Sequence, residues 1–128
     1  MTKTRNKVFQ LLMIFFLIGF VVSCSTIPDQ SSVTKTAYST IKSAAIAYDA
    51  VMSALGDLDK QGEITSAQKT VILRYGSEFW RAYHTAVDAL YAYKKSGGDE
   101  LSLDGALSTL TAALAGFLEY SAEITGGK

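Results

Sequence analysis

Three long segments of this chain repeat apolar residues in steps of three and four. That spacing places them on one face of an α-helix, whereas a strand would need a step of two. The first segment spans about residues 34–56, with Ala37, Ile41, Ala44, Tyr48, Val51 and Leu55 in step and Leu58 just beyond. The second spans about residues 66–96, with Ile72, Gly76, Phe79, Tyr83, Ala86, Leu90 and Tyr93 in step. A neighbouring row of Leu73, Trp80, Val87 and Tyr91 is expected to widen its apolar face. Arg74, Glu78, Arg81, Thr85, Asp88, Ala92 and Lys95 form the opposite, solvated stripe, with charges spaced to pair along the helix. The third segment spans about residues 100–125, with Leu103, Leu107, Leu110, Leu114, Phe117, Ser121 and Ile124 in step.

The breaks between these segments are equally marked. Gly56 and Gly62 bracket the first, and Gly97-Gly98 forms the second. Thr65 with Gln68 has the Thr-x-x-Gln order of a capping box, and Asp99 is placed to cap the third helix. Three helices of similar length joined by short connections predict an all-α, up-down-up three-helix bundle over residues 34–125. Its core is expected to set tyrosine and phenylalanine rings against alanine and glycine. Gly76, Gly105 and Gly116 each cost about 1 kcal/mol relative to alanine inside a helix, and close approach of a neighbour is a reason to keep them.

Before the bundle the pattern is different. Lys3, Arg5 and Lys7 form a basic head, and Val8 to Val22 is an apolar run of 15 residues interrupted only by Gln10 and Gly19. Roughly 17–25 residues are needed to cross a bilayer, so this run suits the h-region of an export signal better than a spanning helix. It closes on Val21-Val22-Ser23-Cys24, which contains the only cysteine of the chain. These four residues resemble the lipobox of bacterial lipoproteins. The resemblance covers residues 1–24. It implies cleavage of residues 1–23 and acylation of Cys24, with fatty acyl chains, palmitate among them, holding the protein to the membrane. One chain anchors only marginally, and two or three hold firmly. In a Gram-negative host, Ser25 after the cysteine implies the outer membrane, facing the periplasm. Residues 24–33, with Pro28 and small polar side chains, read as the lipidated cysteine and a tether. Its nine residues after Cys24 reach at most about 30 Å, so the bundle stays near the membrane.

Removing the signal leaves 105 residues, enough for one small domain. The mature chain carries nine basic and twelve acidic residues, a net charge of −3. This balance argues against a nucleic-acid or anionic-lipid binding face, since those need clustered Lys and Arg. With Cys24 acylated no thiol is left for a disulfide, so the core alone must hold the fold.

Four features carry candidate chemistry. Residues 57–68 resemble an EF-hand calcium loop, with Asp57 and Asp59 at positions 1 and 3, Gln61 at 5, Gly62 at 6 and Glu63 at 7. The position-12 carboxylate is replaced by Gln68, and Asp57 and Asp59 also favour turns, so a capped turn accounts for the same residues. A weak calcium-responsive module is the alternative function. His84 stands one turn before Asp88 without a nucleophile or metal-ligand partner at a recognisable spacing, and reads as a surface histidine. The tyrosines and Trp80 fall mostly on apolar rows, where rings are usually core. Residues 105–118 of the third helix hold no charge, and the outward positions Ser108, Thr111, Ala112, Ala115 and Gly116 are small. A monomer's surface helix usually carries charge there, so this face is the candidate contact for an envelope protein or for a second copy. Neither enzyme activity, cofactor, metal nor small-molecule substrate is indicated. The expected function is a lipid-anchored envelope protein with a structural or protein-interaction role.

Metabolic labelling with a fatty acid tests the anchor. The wild-type chain is expected to take up label and Cys24→Ser to take up none; equal label in both would refute acylation at this position.

Overall fold

The computed structural model describes residues 30–126, and the signal segment and Cys24 lie outside the described residues. Three helices fill this range: α1 Gln30–Lys60, α2 Ser66–Ser96 and α3 Glu100–Gly126. Among the described residues there is no strand. The architecture is the three-helix bundle that the apolar spacing predicts, and α3 packs more extensively on α2 than α1 does on either.

The stepped rows become the core. Ala37, Ile41, Ala44, Tyr48 and Leu55 of α1 are buried, as are Ile72, Phe79, Ala86, Leu90 and Tyr93 of α2. From α3 come Leu103, Leu110, Phe117 and Ile124, with Ser121 as a buried polar residue. The Ser121 hydroxyl donates to the Leu118 carbonyl at 2.8 Å, which removes the cost of burying it. No buried side-chain polar atom among the described residues lacks a partner.

The centre of the core is aromatic. The Tyr48 ring stacks on Phe79 with centroids 4.3 Å apart and planes 2° from parallel. It also meets Phe117 at 5.1 Å and the edge of Trp80 at 5.5 Å. One tyrosine from α1 therefore touches α2 and α3 together. Gly76 makes room for it: a Cβ on that glycine would lie 2.7 Å from the Tyr48 hydroxyl oxygen. Gly116 similarly faces the Tyr75 ring, at 3.4 Å from such a Cβ, whereas Gly105 opens on empty space and has no close neighbour. Burial pushes the Tyr48 hydroxyl pKa up, Trp80 opposes this by hydrogen bonding, and Asp49 adds to it.

Three expectations need correction. The first helix runs over Gln30–Lys60, beyond the expected 34–56 at both ends. Gly56 does not stop it, because this residue is exposed and its neighbours Leu55 and Leu58 keep their places against the core. The stop falls at Gly62, whose φ of 74° suits glycine. There the Glu63 N–H donates to the Leu58 carbonyl at 3.0 Å and the Gly62 N–H to the Asp59 carbonyl at 2.9 Å, the two bonds of a Schellman motif. Residues 30–33 of the expected tether are thus helical, and the rest of that segment lies outside the described residues. Second, the row Leu73, Trp80, Val87 and Tyr91 does not join the core. Its members are 69%, 39%, 38% and 65% exposed, although the Trp80 ring still meets Tyr48 of α1 with its edge. Third, Gly116 turns towards Tyr75 and leaves the outer face of α3.

The Tyr48–Gly76 contact predicts a non-additive pair. Tyr48 is held between rings and cannot swing away, so Gly76→Ala overpacks the site at a cost of about 1–3 kcal/mol, less the roughly 1 kcal/mol of helix propensity that alanine returns. Adding Tyr48→Phe removes the colliding oxygen. Denaturant unfolding should show the double variant to be more stable than Gly76→Ala alone, with a coupling energy of about 0.5–3 kcal/mol. Additive losses would place the glycine's role elsewhere.

Candidate functional site

The turn between α1 and α2 brings together the residues of the calcium-like segment, in a different arrangement from a loop. Asp57 and Asp59 lie in the last turn of α1. Asp57 is 3.7 Å from Lys60, and Asp59 is 2.8 Å from Lys69 of α2, an exposed ion pair that ties the two helices. Gln61 and Gly62 complete the helix stop. The Thr65 hydroxyl accepts from the Gln68 N–H at 3.1 Å, while the Thr65 N–H donates to Oε1 of Gln68 at 2.8 Å. This is the capping box anticipated from Thr-x-x-Gln, and it commits the residue at EF-hand position 12 to a backbone amide. An EF-hand loop wraps positions 1, 3 and 5 round the ion, but a helical backbone over residues 57–60 spreads those side chains around its axis. Among the described residues no group of three or more His, Cys, Asp and Glu side chains is gathered as a metal site would need.

At the other end, Gly97 ends α2 with φ 62° and ψ 30°. Asp99 then caps α3, with Oδ1 accepting from the Leu101 N–H at 3.1 Å and Oδ2 from the Ser102 hydroxyl at 2.7 Å. These short, capped turns set the register of three faces that remain open to solvent.

The first is the outer face of α3. Ser108, Thr111, Ala112 and Ala115 are exposed, and with them Gly105 and Thr109. By length and composition α3 is apolar enough to cross a membrane, yet only 22% of its most apolar 18-residue window is buried in the bundle. The charge-free stretch between Asp104 and Glu119 spans about 21 Å at 1.5 Å per residue, short of the roughly 30 Å of a hydrocarbon core.

The second is the exposed row on α2. Trp80 sits at its middle, with its ring against Tyr48, Phe79 and Tyr83. His84, on the same side, is exposed and lies 6.2 Å from the Trp80 ring. The sequence pattern could not separate this row from core, since residues next to a buried row are apolar in both cases. Only the position of α1 decides it.

The third is an open cleft of about 500 Å³ between the start of α1 and the end of α2, lined by Gln30, Ser31, Thr34, Lys35 and Lys94. The Gln30 side-chain amide donates to the Tyr93 carbonyl at 3.3 Å and closes its floor. Sequence reasoning missed this cleft, because Lys94 stands 59 or more positions from the other four residues and they carry no local motif.

No family model, no curated protein and no solved structure matches this chain.

The turn chemistry predicts a separable pair of effects. Thr65→Ala should cost about 0.5–2 kcal/mol of stability. Asp57→Asn with Asp59→Asn should change it by about 1 kcal/mol or less, because the ion pairs are exposed. Thermal melts with and without calcium check this. A melting temperature that rises with calcium in the parent and not in the aspartate variant would instead support the calcium module.

Proposed function

We propose that this protein is a small lipoprotein of the bacterial envelope, held to the membrane through Cys24, whose bundle presents α3 to another helix. The anchor rests on the basic head, the 15-residue apolar run and the Val-Val-Ser-Cys order of the sequence. In a Gram-negative host, Ser25 favours the outer membrane, with the bundle in the periplasm.

The observation that carries the interaction role is the exposure of α3. Only 22% of its apolar window is fully buried, and although Leu107, Ala113 and Leu114 pack partly against the core, Gly105, Ser108, Thr109, Thr111, Ala112 and Ala115 stay exposed. Leu103, Leu110 and Phe117 hold its inner side in the core. Outward, Ser108, Thr111, Ala112 and Ala115 present hydroxyls and methyl groups. Such small side chains let a second helix approach closely. Tethering raises the effective concentration of weak partners, so this face suits a contact made on the membrane better than one made in free solution. The partner is another envelope protein or a second copy of this chain.

Crosslinking in intact envelopes tests the role, with Ala112→Glu and Ala115→Lys compared against wild type. Both residues are exposed, so both variants should fold, and each is expected to lose most of the crosslinked species. Undiminished crosslinks in folded variants would remove the contact from this face.

A further inference from the structure

The anchor end of the bundle has an edge whose chemistry is unlike the rest of the surface. The Gln30–Tyr93 hydrogen bond brings the start of α1 beside the end of α2. From Gln30 to Tyr48, α1 carries Lys35 and Lys42 and no acidic residue; from Thr85 to Ser96, α2 carries Lys94, Lys95 and one acid, Asp88. Beyond these stretches α1 turns acidic, with Asp49, Asp57 and Asp59 against Lys60. The lysines gather on one edge. Lys35 and Lys94 line the same cleft, together with Gln30, Ser31 and Thr34. Tyr38 stands three residues after Lys35 and four before Lys42, hence on their side of α1. Tyr91 stands three residues before Lys94, and the Lys95 ammonium lies 5.8 Å from its ring centroid. Tyr38 and Tyr91 are 60% and 65% exposed. Phenol rings with a polar tip, flanked by long cationic side chains, are the composition that sits at the headgroup level of a bilayer.

We propose that this lysine–tyrosine edge of α1 and α2 lies on an anionic lipid surface, with Lys35 and Lys94 meeting lipid phosphates at the cleft. The inference rests on the anchored reading above. What selects a bilayer as the occupant is where the chain leads: Gln30 is six residues from Cys24, which limits their separation to about 20 Å. The lysine-bearing stretch of α1, about 27 Å long, begins within that distance of the anchor, so an acylated chain lets the edge lie down along the headgroups. The net charge of −3 opposes an anionic surface, so docking overturns the expectation from overall charge only through this local lysine edge, in an orientation that turns Asp99, Glu100 and Asp104 at the start of α3 away from the lipid. In that orientation α3 is not the membrane-facing helix, and its uncharged face remains open to a protein.

The test uses the full acylated chain in vesicles. Because Cys24 is the only cysteine and its sulfur carries lipid, one introduced cysteine gives the only free thiol for a fluorophore. Val87→Cys reports on the edge, one turn from Tyr91, and Ser108→Cys on the outer face of α3. The two sites lie at similar heights, since Phe79 and Phe117 both pack on Tyr48 and each site is eight or nine residues from its phenylalanine towards the anchor end. In phosphatidylglycerol–phosphatidylcholine vesicles bearing nitroxide lipids, the Val87 label is expected to be quenched several-fold more than the Ser108 label. Lys35→Glu with Lys94→Glu should bring it down to the Ser108 level with an unchanged melting temperature. Raising salt on the parent from about 0.01 M to about 1 M, which shortens the Debye length from roughly 30 Å to 3 Å, should do the same without any substitution. Equal quenching at the two sites, or a Val87 signal indifferent to both charge reversal and salt, overturns the docking. Intact mass separates the two failures: a chain without acyl mass overturns the anchored reading and the docking with it, whereas an acylated chain with an aqueous Val87 label overturns the docking alone.

Discussion

The stacking of Tyr48 on Phe79, with Phe117 and Trp80 around it, is the constraint on which the bundle's geometry depends. One ring from α1 bridges both other helices, and it is large enough to hold them apart except where a residue is removed to admit it. Gly76 is that residue: its missing Cβ accepts the tyrosine hydroxyl. A bundle cored by leucine can slide or rotate with small penalties, because many leucine packings have similar energies. A stacked ring seated over a glycine cannot, since a shift of one turn would drive its hydroxyl into a side chain. The contrast of large rings with small neighbours, such as Ala37, Ala44, Ala82 and Ala86, does for this small, disulfide-free core what sheer apolar volume does for a larger one.

That core determines which surfaces are left over. Tyr48 draws α1 against Phe79 of α2, and Tyr75 of α2 meets Phe117 and Tyr120 of α3, so the Leu73-to-Tyr91 row touches the cluster through Trp80 and is otherwise exposed. The same geometry leaves the α3 outer face without a covering helix. The surfaces proposed to meet a partner and a membrane are thus consequences of how three helices share one aromatic cluster. They also lie on different helices, which allows an anchored bundle to rest on lipid by α1 and α2 while it presents α3.

The turns close both ends of the bundle. The Schellman motif at Gly62 and the capping box at Thr65 engage the backbone of residues 57–63 and the side chains of Thr65 and Gln68, so residues that resemble a calcium loop serve to reverse the chain. At the end where α1 begins, Gly97 and Asp99 reverse it again within three residues. Both turns bring α1, α2 and α3 into register, and the second turn's end carries the lysines and tyrosines that face the proposed lipid surface.

Much of this was legible in the sequence because helical periodicity and capping are local. The step-three-and-four rows named most of the buried residues of the three helices, missing Ala82 and Ala106, and Thr65, Gln68, Gly97 and Asp99 marked the turns, since each acts on backbone groups a few positions away. Local signals failed where the competing forces were local too: Gly56 resembled a stop, but flanking apolar contacts outweighed its propensity cost, and Asp57 with Asp59 resembled ligands although helix continues through them. The rest needed the tertiary structure. Whether Leu73 and Trp80 are core or surface, whether Gly116 faces inward, and whether Lys35 meets Lys94 all depend on how far each helix is rotated about its axis and which neighbour lies there. Periodicity defines an apolar face but not its width or its cover. Those were decided by ring packing between residues dozens of positions apart, an interaction with no trace in the spacing of either helix alone.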